Sequence, residues 1–324
     1  AFWLPVALLG LIGSVTIPST YALFLSTAMS GAGFAVLYGI GTTILADTSN
    51  PTRWYGFKIA LEAVPGACLL FILPTTLVPA FGFVGVIGAL VGVSLVLALF
   101  LPTLPVSSSL DSATHSAQNQ VEGQLPTIRP LAIGLVLLGT LLFFSSASGL
   151  WAFIERIGAV HSFPASDIGQ LLSLTLVLAT LGSLTTAWLG KRLGNVGPFT
   201  ASALLIVVAC FLLYGVPDFP LFALGAGLLT FAIGMGLPFA IAEVAELDVD
   251  GRYIILSVPA IGLGAMIGPA TAGVLSEARS FDAVLWAGAL TVLGAIGCVV
   301  AGRVMASNAM TAGRTHLSIQ ETHL

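Results

Sequence analysis

Apolar residues fill this chain in continuous runs of about twenty, separated by short polar stretches. The runs do not alternate with polar positions, so they do not read as strands with one wet face. About 20 apolar residues at 1.5 Å per helical residue match the ~30 Å hydrocarbon core of a bilayer. Inside lipid the backbone must satisfy its own hydrogen bonds, which leaves helices or closed barrels. The pattern predicts ten transmembrane helices, over residues 2–18, 20–45, 56–79, 80–101, 130–153, 166–189, 197–216, 220–243, 253–275 and 281–304. Turn chemistry marks several joints: Pro18-Ser19, Pro79, and the "VPDFP" of residues 216–220.

The polar interruptions carry the organisation. "ADTSNPTRWYG" (46–56) sets an Asp, an Asn, two Thr, a Ser and an Arg between two apolar runs, and "AELDVDGRY" (245–253) has the same outline. A longer break, residues 102–129, is rich in Ser, Gln and Asn and lacks periodicity, so it reads as a flexible cytoplasmic linker. The expected domains are an N-terminal bundle (1–101), this linker, a C-terminal six-helix bundle (130–304) and a loose polar tail (305–324).

Composition agrees with a lipid environment. The 324 residues are 57% hydrophobic and 7% charged, against roughly 25% charged in soluble domains, and the mean hydropathy is +1.06. Net charge is −4 with no basic block, which argues against a nucleic-acid partner. Cys68, Cys210 and Cys298 stand alone in apolar runs and read as small filler, and no His has a partner at ligand spacing. Neither a metal nor a cofactor is expected. With the 46–56 loop in the cytoplasm, Arg53, Lys58, Arg129, Lys191, Arg192, Arg252, Arg303 and Arg314 all fall on that side, and only Arg156 and Arg279 outside. The positive-inside rule therefore predicts a multi-pass plasma (cell inner) membrane protein with both termini cytoplasmic.

The two polar loops also measure an internal repeat. Asp47 and Arg53 are six residues apart, as are Glu246 and Arg252, and an aromatic follows each Arg (Trp54, Tyr253). A shift of 199 residues lays the last four predicted spans on the first four. The later half then holds six spans and the earlier half four, so two further helices, roughly 70 residues, are expected ahead of the first half.

Two six-helix repeats joined by a long cytoplasmic linker resemble the major facilitator superfamily (MFS) of secondary transporters, over essentially the whole chain as its third to twelfth helices. "AWLGKRLGN" resembles the family's loop between the eighth and ninth helices, with Lys191 in place of its acid, then Arg192 and Gly194. "GAMIGPATAG" is similar to its eleventh-helix pattern through Gly264, Gly268, Pro269 and Gly273. In "LFLSTAMSGAG", Leu23, Gly31 and Gly33 fit the fourth-helix antiporter pattern, but Thr27 stands where that pattern has Arg. The resemblance implies an all-α, two-bundle fold and a gradient-driven transporter that moves a small organic solute by alternating access, with efflux one permitted direction. It also implies a monomer in the lipid bilayer, with or without a coupling ion.

The residues that could carry chemistry are few. Asp47, Arg53, Glu246 and Arg252 are expected at a cytoplasmic gate, each acid–base pair working with the basic loop of its own half, which in the C-terminal half is Lys191 and Arg192. Glu62, one turn from Lys58, is either an interfacial ion pair or a coupling site, since a charge deep in lipid is costly. Ser145, Ser146, Ser148 and Trp151 either bond neighbouring backbone or face a solute cavity, and Tyr38 is a cavity candidate of the same kind. Pro65-Gly66, Pro259, Gly264, Gly268 and Pro269 are read as packing or hinge positions. Nucleophile–base pairs and phosphate-binding loops are missing from the spans, so the chain does not read as an enzyme. The other reading is a membrane sensor or assembly scaffold with the same fold and no transport.

Overall fold

The computed structural model describes residues 2–17, 19–100, 102, 128–215, 218–248, 251–278 and 280–321. Within them are ten α-helices: α1 (Trp3–Thr16), α2 (Thr20–Ala46), α3 (Pro51–Thr75), α4 (Leu77–Ala98), α5 (Ile128–Val160), α6 (Ala165–Leu189), α7 (Val196–Leu213), α8 (Phe219–Leu247), α9 (Ser257–Ala278) and α10 (Phe281–Glu321). Eight of these are long and apolar enough to cross a membrane; α1 is shorter, and α3 carries Arg53, Lys58 and Glu62 in its first half. Large side chains such as Phe24, Leu97, Trp188 and Leu290 lie exposed on helix flanks, where lipid rather than water is the fitting solvent. Residues 103–127 of the expected linker fall outside the described residues. Where a loose tail is expected after 304, α10 instead continues through Glu321.

The chain divides into two compact units, Ala1–Ile44 with Glu62–Asp111, and Leu45–Leu61 with Ser112–Leu324. In the first unit, small residues let helices close on each other: Gly10 faces the α2 backbone at Ser26 and Ser30, and Gly33 faces Ala7. α4 bends at Gly82, whose φ of 56° is open to glycine at little cost.

The second unit holds the core. α8 is buried over most of its length, with Gly225, Gly227, Gly234 and Gly236 at its contacts, and packs on α5, α6 and α7. α9 and α10 pack on α5. Phe143, Phe199, Phe222 and Phe239 fill the space between these helices and are fully buried. The first eleven residues of α3 belong to this unit, with Tyr55 at 0% exposure in its core.

The repeat survives at the level of helices. α2 and α8 start 199 residues apart, at Thr20 and Phe219. α4 and α10 start 204 apart, at Leu77 and Phe281, so the offset drifts by a few residues along the repeat.

Candidate functional site

Two constellations stand out in the second unit. The first is a chain of polar side chains where the start of α3 and the end of α8 meet α10 and the α6–α7 loop. Thr52, in the first turn of α3, donates to Asn195 Oδ1 (2.8 Å), and Asn195 Nδ2 donates to Glu246 Oε2 (2.8 Å) at the end of α8. Arg303 of α10 closes the chain: its Nη1 donates to Glu246 Oε1 at 2.9 Å and to Glu243 Oε1 at 3.2 Å. Thr52, Asn195 and Glu243 are buried, at 0%, 3% and 1% exposure. Two carboxylates thus share one guanidinium, and the Asn195 amide lies against both. The second oxygen of Glu243, Oε2, has no hydrogen-bond partner among the described residues.

Local sequence builds each part. Asn50 accepts from Arg53 N at 3.2 Å and so caps the start of α3. Beyond α8 the chain reverses around Asp248, whose carboxylate accepts from the backbone N–H groups of Arg252, Tyr253 and Ile254 at 3.1, 2.7 and 2.6 Å. Gly251, with φ of 67°, makes that reversal possible. Gly56 lets α3 meet α6: a Cβ there would lie 2.5 Å from Ala187 N and 2.7 Å from Ser183 O.

The second constellation is a cavity of about 200 Å³ between α5, α6 and α8, lined by Phe144, Ser148, Trp151, Thr175, Thr230 and Ile233 among others. Ser148, Thr175 and Thr230 stand 12, 10 and 11 residues from the helix ends Val160, Ala165 and Phe219. At 1.5 Å per residue that is roughly 15–18 Å, half the ~30 Å core. Each hydroxyl already donates to a carbonyl: Ser148 to Gly264 O (3.2 Å), Thr175 to Leu172 O (2.6 Å), Thr230 to Ala226 O (3.1 Å). What they offer the cavity is therefore acceptor lone pairs. None of the lining residues is charged.

No protein-family model matches the chain, and no curated protein matches it in sequence. Solved structures do match it in fold. The MFS transporter FucP in the outward conformation superposes with a TM-score of 0.71 at 13% identity, over 95% of this chain and 81% of that one. A point variant of the E. coli fucose:proton symporter FucP gives 0.69 at 12% identity over 95% and 82%. The human organic anion transporter MFSD10 (TETRAN) gives 0.70 at 19% identity over 92% and 77%.

The chain has the major facilitator fold.

Within this MFS fold, several expected site residues meet other partners. Glu246 pairs with Arg303 and Asn195, not with Arg252, Lys191 or Arg192. The reason is distance along the fold: α10 returns past the end of α8, whereas Arg252 is carried away by the turn around Asp248. Arg252 is exposed, and its local contact is its own N–H to Asp248. Asp47 is exposed too, while Arg53 lies over the Phe57 ring (5.6 Å) and Arg192 over Trp188 (5.8 Å).

The serines divide. Ser148 and Trp151 line the cavity, but Ser145 and Ser146 turn toward α9 and α10, where Ser146 Oγ donates to Gly288 O at 2.8 Å. Gly264 and Gly268 press α9 onto α5, with a Cβ at Gly264 2.7 Å from Leu141 O and one at Gly268 against Ser145 O. Pro269 lies inside α9, whereas Pro259 falls in its first turn, where a missing N–H breaks no helical bond and causes no kink. α3 runs helical through Pro65 and Gly66. In the first unit, Tyr38 of α2 hydrogen-bonds Glu62 of α3. Glu62 is 11 residues past Pro51, roughly 16 Å along α3, deeper than a helix starting at 56 would put it. The Lys58 ammonium is buried.

Thr52, Asn195 and Arg303 were not singled out by the sequence as members of this network, nor was Asp248 as the anchor of the turn beside it. A signal existed for two of them. Asp248 stands four residues before Arg252, the spacing of a carboxylate closing a turn. Arg303 is a lone cation at the end of an apolar run, with two acids elsewhere in need of a counter-charge.

Proposed function

We propose that this protein is a secondary transporter that moves a small uncharged organic solute across the membrane by alternating access. The observation that carries the reading is the cavity at half-membrane depth, free of charged lining and bordered by Ser148, Trp151, Thr175 and Thr230. A solute with hydroxyl or N–H donors would find acceptors there, and an apolar ring would find Phe144 and Trp151. The names of the similar structures, a fucose:proton symporter and an organic anion transporter, support solute transport in general. The uncharged lining favours the neutral solute over the anion. Residues 1–101 and 130–304 would form the two moving bundles, joined by the 102–129 linker, in a plasma membrane with cytoplasmic termini.

The network from Thr52 to Arg303 would act as the cytoplasmic latch, engaged in one state and hydrated in the other. Glu62, held by Tyr38, is the proposed coupling residue, because a carboxylate at that depth is costly unless used. The test is uptake of radiolabelled neutral and anionic solutes into proteoliposomes holding the full chain, with or without a pH gradient. Saturable flux of a neutral solute is expected, falling at least ~10-fold in Trp151→Ala, since a ring contact contributes about 1.4 kcal/mol or more. A chain that moves no solute under any gradient would be the sensor or scaffold instead.

A further inference from the structure

A cleft of about 660 Å³ opens beside the latch, lined by Asn50, Arg53, Phe57, Trp188, Lys191 and Arg192 among others. It holds three cations and no carboxylate. Among the described residues none of the three has an ion-pair partner: Glu243 and Glu246 are taken by Arg303, and Asp47, six residues before Arg53, is exposed outside the lining. Lys191 and Arg192 have a local reason to be cationic: they follow the C-terminus of α6, where the helix dipole is negative. Arg53 does not. It is the third residue of α3, in a first turn without acidic residues, where the dipole disfavours a positive charge. Three like charges around one opening repel each other unless an anion lies between them.

The rest of the lining points to the anion's source. Trp188 is 72% exposed and stands in the last turn of α6, with Leu184 one turn deeper and also exposed. Phe57 is exposed on α3. These side chains form an apolar ramp running from the cations into the membrane-facing surface, and Trp at the headgroup level is typical of an interface. Arg53 and Arg192 each lie over a ring of this ramp, at 5.6 Å from Phe57 and 5.8 Å from Trp188, and a guanidinium can contact a phosphate through two N–H groups at once. Basic pockets between transmembrane helices on the cytoplasmic side are suited to anionic headgroups.

We propose that this cleft binds an anionic phospholipid, its phosphate between Arg53, Lys191 and Arg192 and its acyl chains along Phe57, Trp188 and Leu184. The lipid neutralises the three cations and ties the start of α3 to the α6–α7 loop. It thereby reinforces the Thr52–Asn195 contact next to it, where the Asn50 side chain also lies against Gly190. The site rests on the cytoplasmic orientation of these loops and not on solute transport, so binding and flux can fail separately.

The test is native mass spectrometry of the full chain in detergent, titrated with short-chain phosphatidylglycerol, phosphatidylcholine or inorganic phosphate. Phosphatidylglycerol should bind roughly 100-fold tighter than phosphatidylcholine, and most of that preference should be lost in Arg53→Gln/Lys191→Gln/Arg192→Gln, since about 1 kcal/mol per cation over three cations corresponds to about two decades. Arg156→Gln, at the opposite end of α5, should leave the preference unchanged. If the triple variant is not monodisperse, the single variants decide: Arg53→Gln should weaken the preference several-fold, and Arg53→Lys should keep it. Equal binding of the two lipids, or a preference untouched by Arg53→Gln, overturns the proposal. Displacement of phosphatidylglycerol by an equal concentration of inorganic phosphate would make this a free-phosphate site and overturn the lipid assignment.

Discussion

Two helix crossings in the second unit use the same device and end differently. At the α5–α9 crossing, Gly264, Gly268 and Gly149 bring backbones together, with Gly149 close enough that a Cβ would lie 2.9 Å from Gly268 O. Ser148 bridges the same pair of helices through Gly264 O. At the α3–α6 crossing, Gly56 achieves a similar approach to Ser183 and Ala187. The first crossing lies within the spans, where opening it would leave donors facing hydrocarbon at several kcal/mol each. The second ends in Thr52, Asn195, Glu246 and Arg303 at the membrane–water boundary, where water can replace each partner. A hydrogen bond exchanged for water is worth only about 1 kcal/mol net. Glycine supplies proximity in both places; the polarity of the surroundings decides whether proximity is permanent.

That contrast can be broken at either crossing. Gly268→Leu should have the largest effect, because four extra carbons would be driven against the Ser145 carbonyl. Overpacking of this kind costs about 3 kcal/mol or more, read as loss of a monodisperse peak in size-exclusion chromatography. Retention of that peak with an unchanged melting temperature would show that α5 and α9 can separate.

Arg303→Ala comes next. It strands Glu243, which is 1% exposed, next to Glu246. Losing the partner of a buried charge costs about 3–5 kcal/mol, reduced here to roughly 2 because Arg303 itself is 38% exposed. Adding Glu243→Gln should restore much of the melting temperature, since a neutral amide needs no counter-ion. Arg252→Ala is the control and should change little, as its side chain is exposed and outside the network. If Arg252→Ala destabilised more than Arg303→Ala, Glu246 would have the other partner.

Thr52→Val should have the smallest effect on stability, about 1 kcal/mol for one buried hydrogen bond whose acceptor, Asn195 Oδ1, is left behind. If the proposed latch holds, its larger readout is conformational: a cysteine probe at Ser49 should react faster with a membrane-impermeant maleimide. An unchanged rate would remove Thr52 from the latch.

Much of the architecture was legible because lipid imposes its rule locally. All ten expected spans correspond to helices, and the 199-residue offset recurs between Thr20 and Phe219. Errors gathered at helix ends, where propensity and capping compete. α3 begins at Pro51 rather than 56 because Asn50 caps it, which moves Glu62 about a turn and a half deeper. Glu246 could be singled out by its place at the end of an apolar run; that Arg303 is its cation could not. Ser145, Ser146 and Ser148 look alike in sequence; all three lie near α9 or α10, and only Ser148 also borders the cavity between α5, α6 and α8.

By itself, the sequence determined that the chain is a multi-pass helical membrane protein, where its apolar helices lie, and that they repeat. Each of those depends on transfer of about twenty consecutive residues into lipid, a property of the segment alone. The tertiary structure decided who meets whom. Thr52 and Asn195 are 143 residues apart, and Arg303 is 57 from Glu246. A burial preference says that a buried carboxylate must find a partner, but its pairing is chosen by which helix ends the packing of small residues brings within three ångströms.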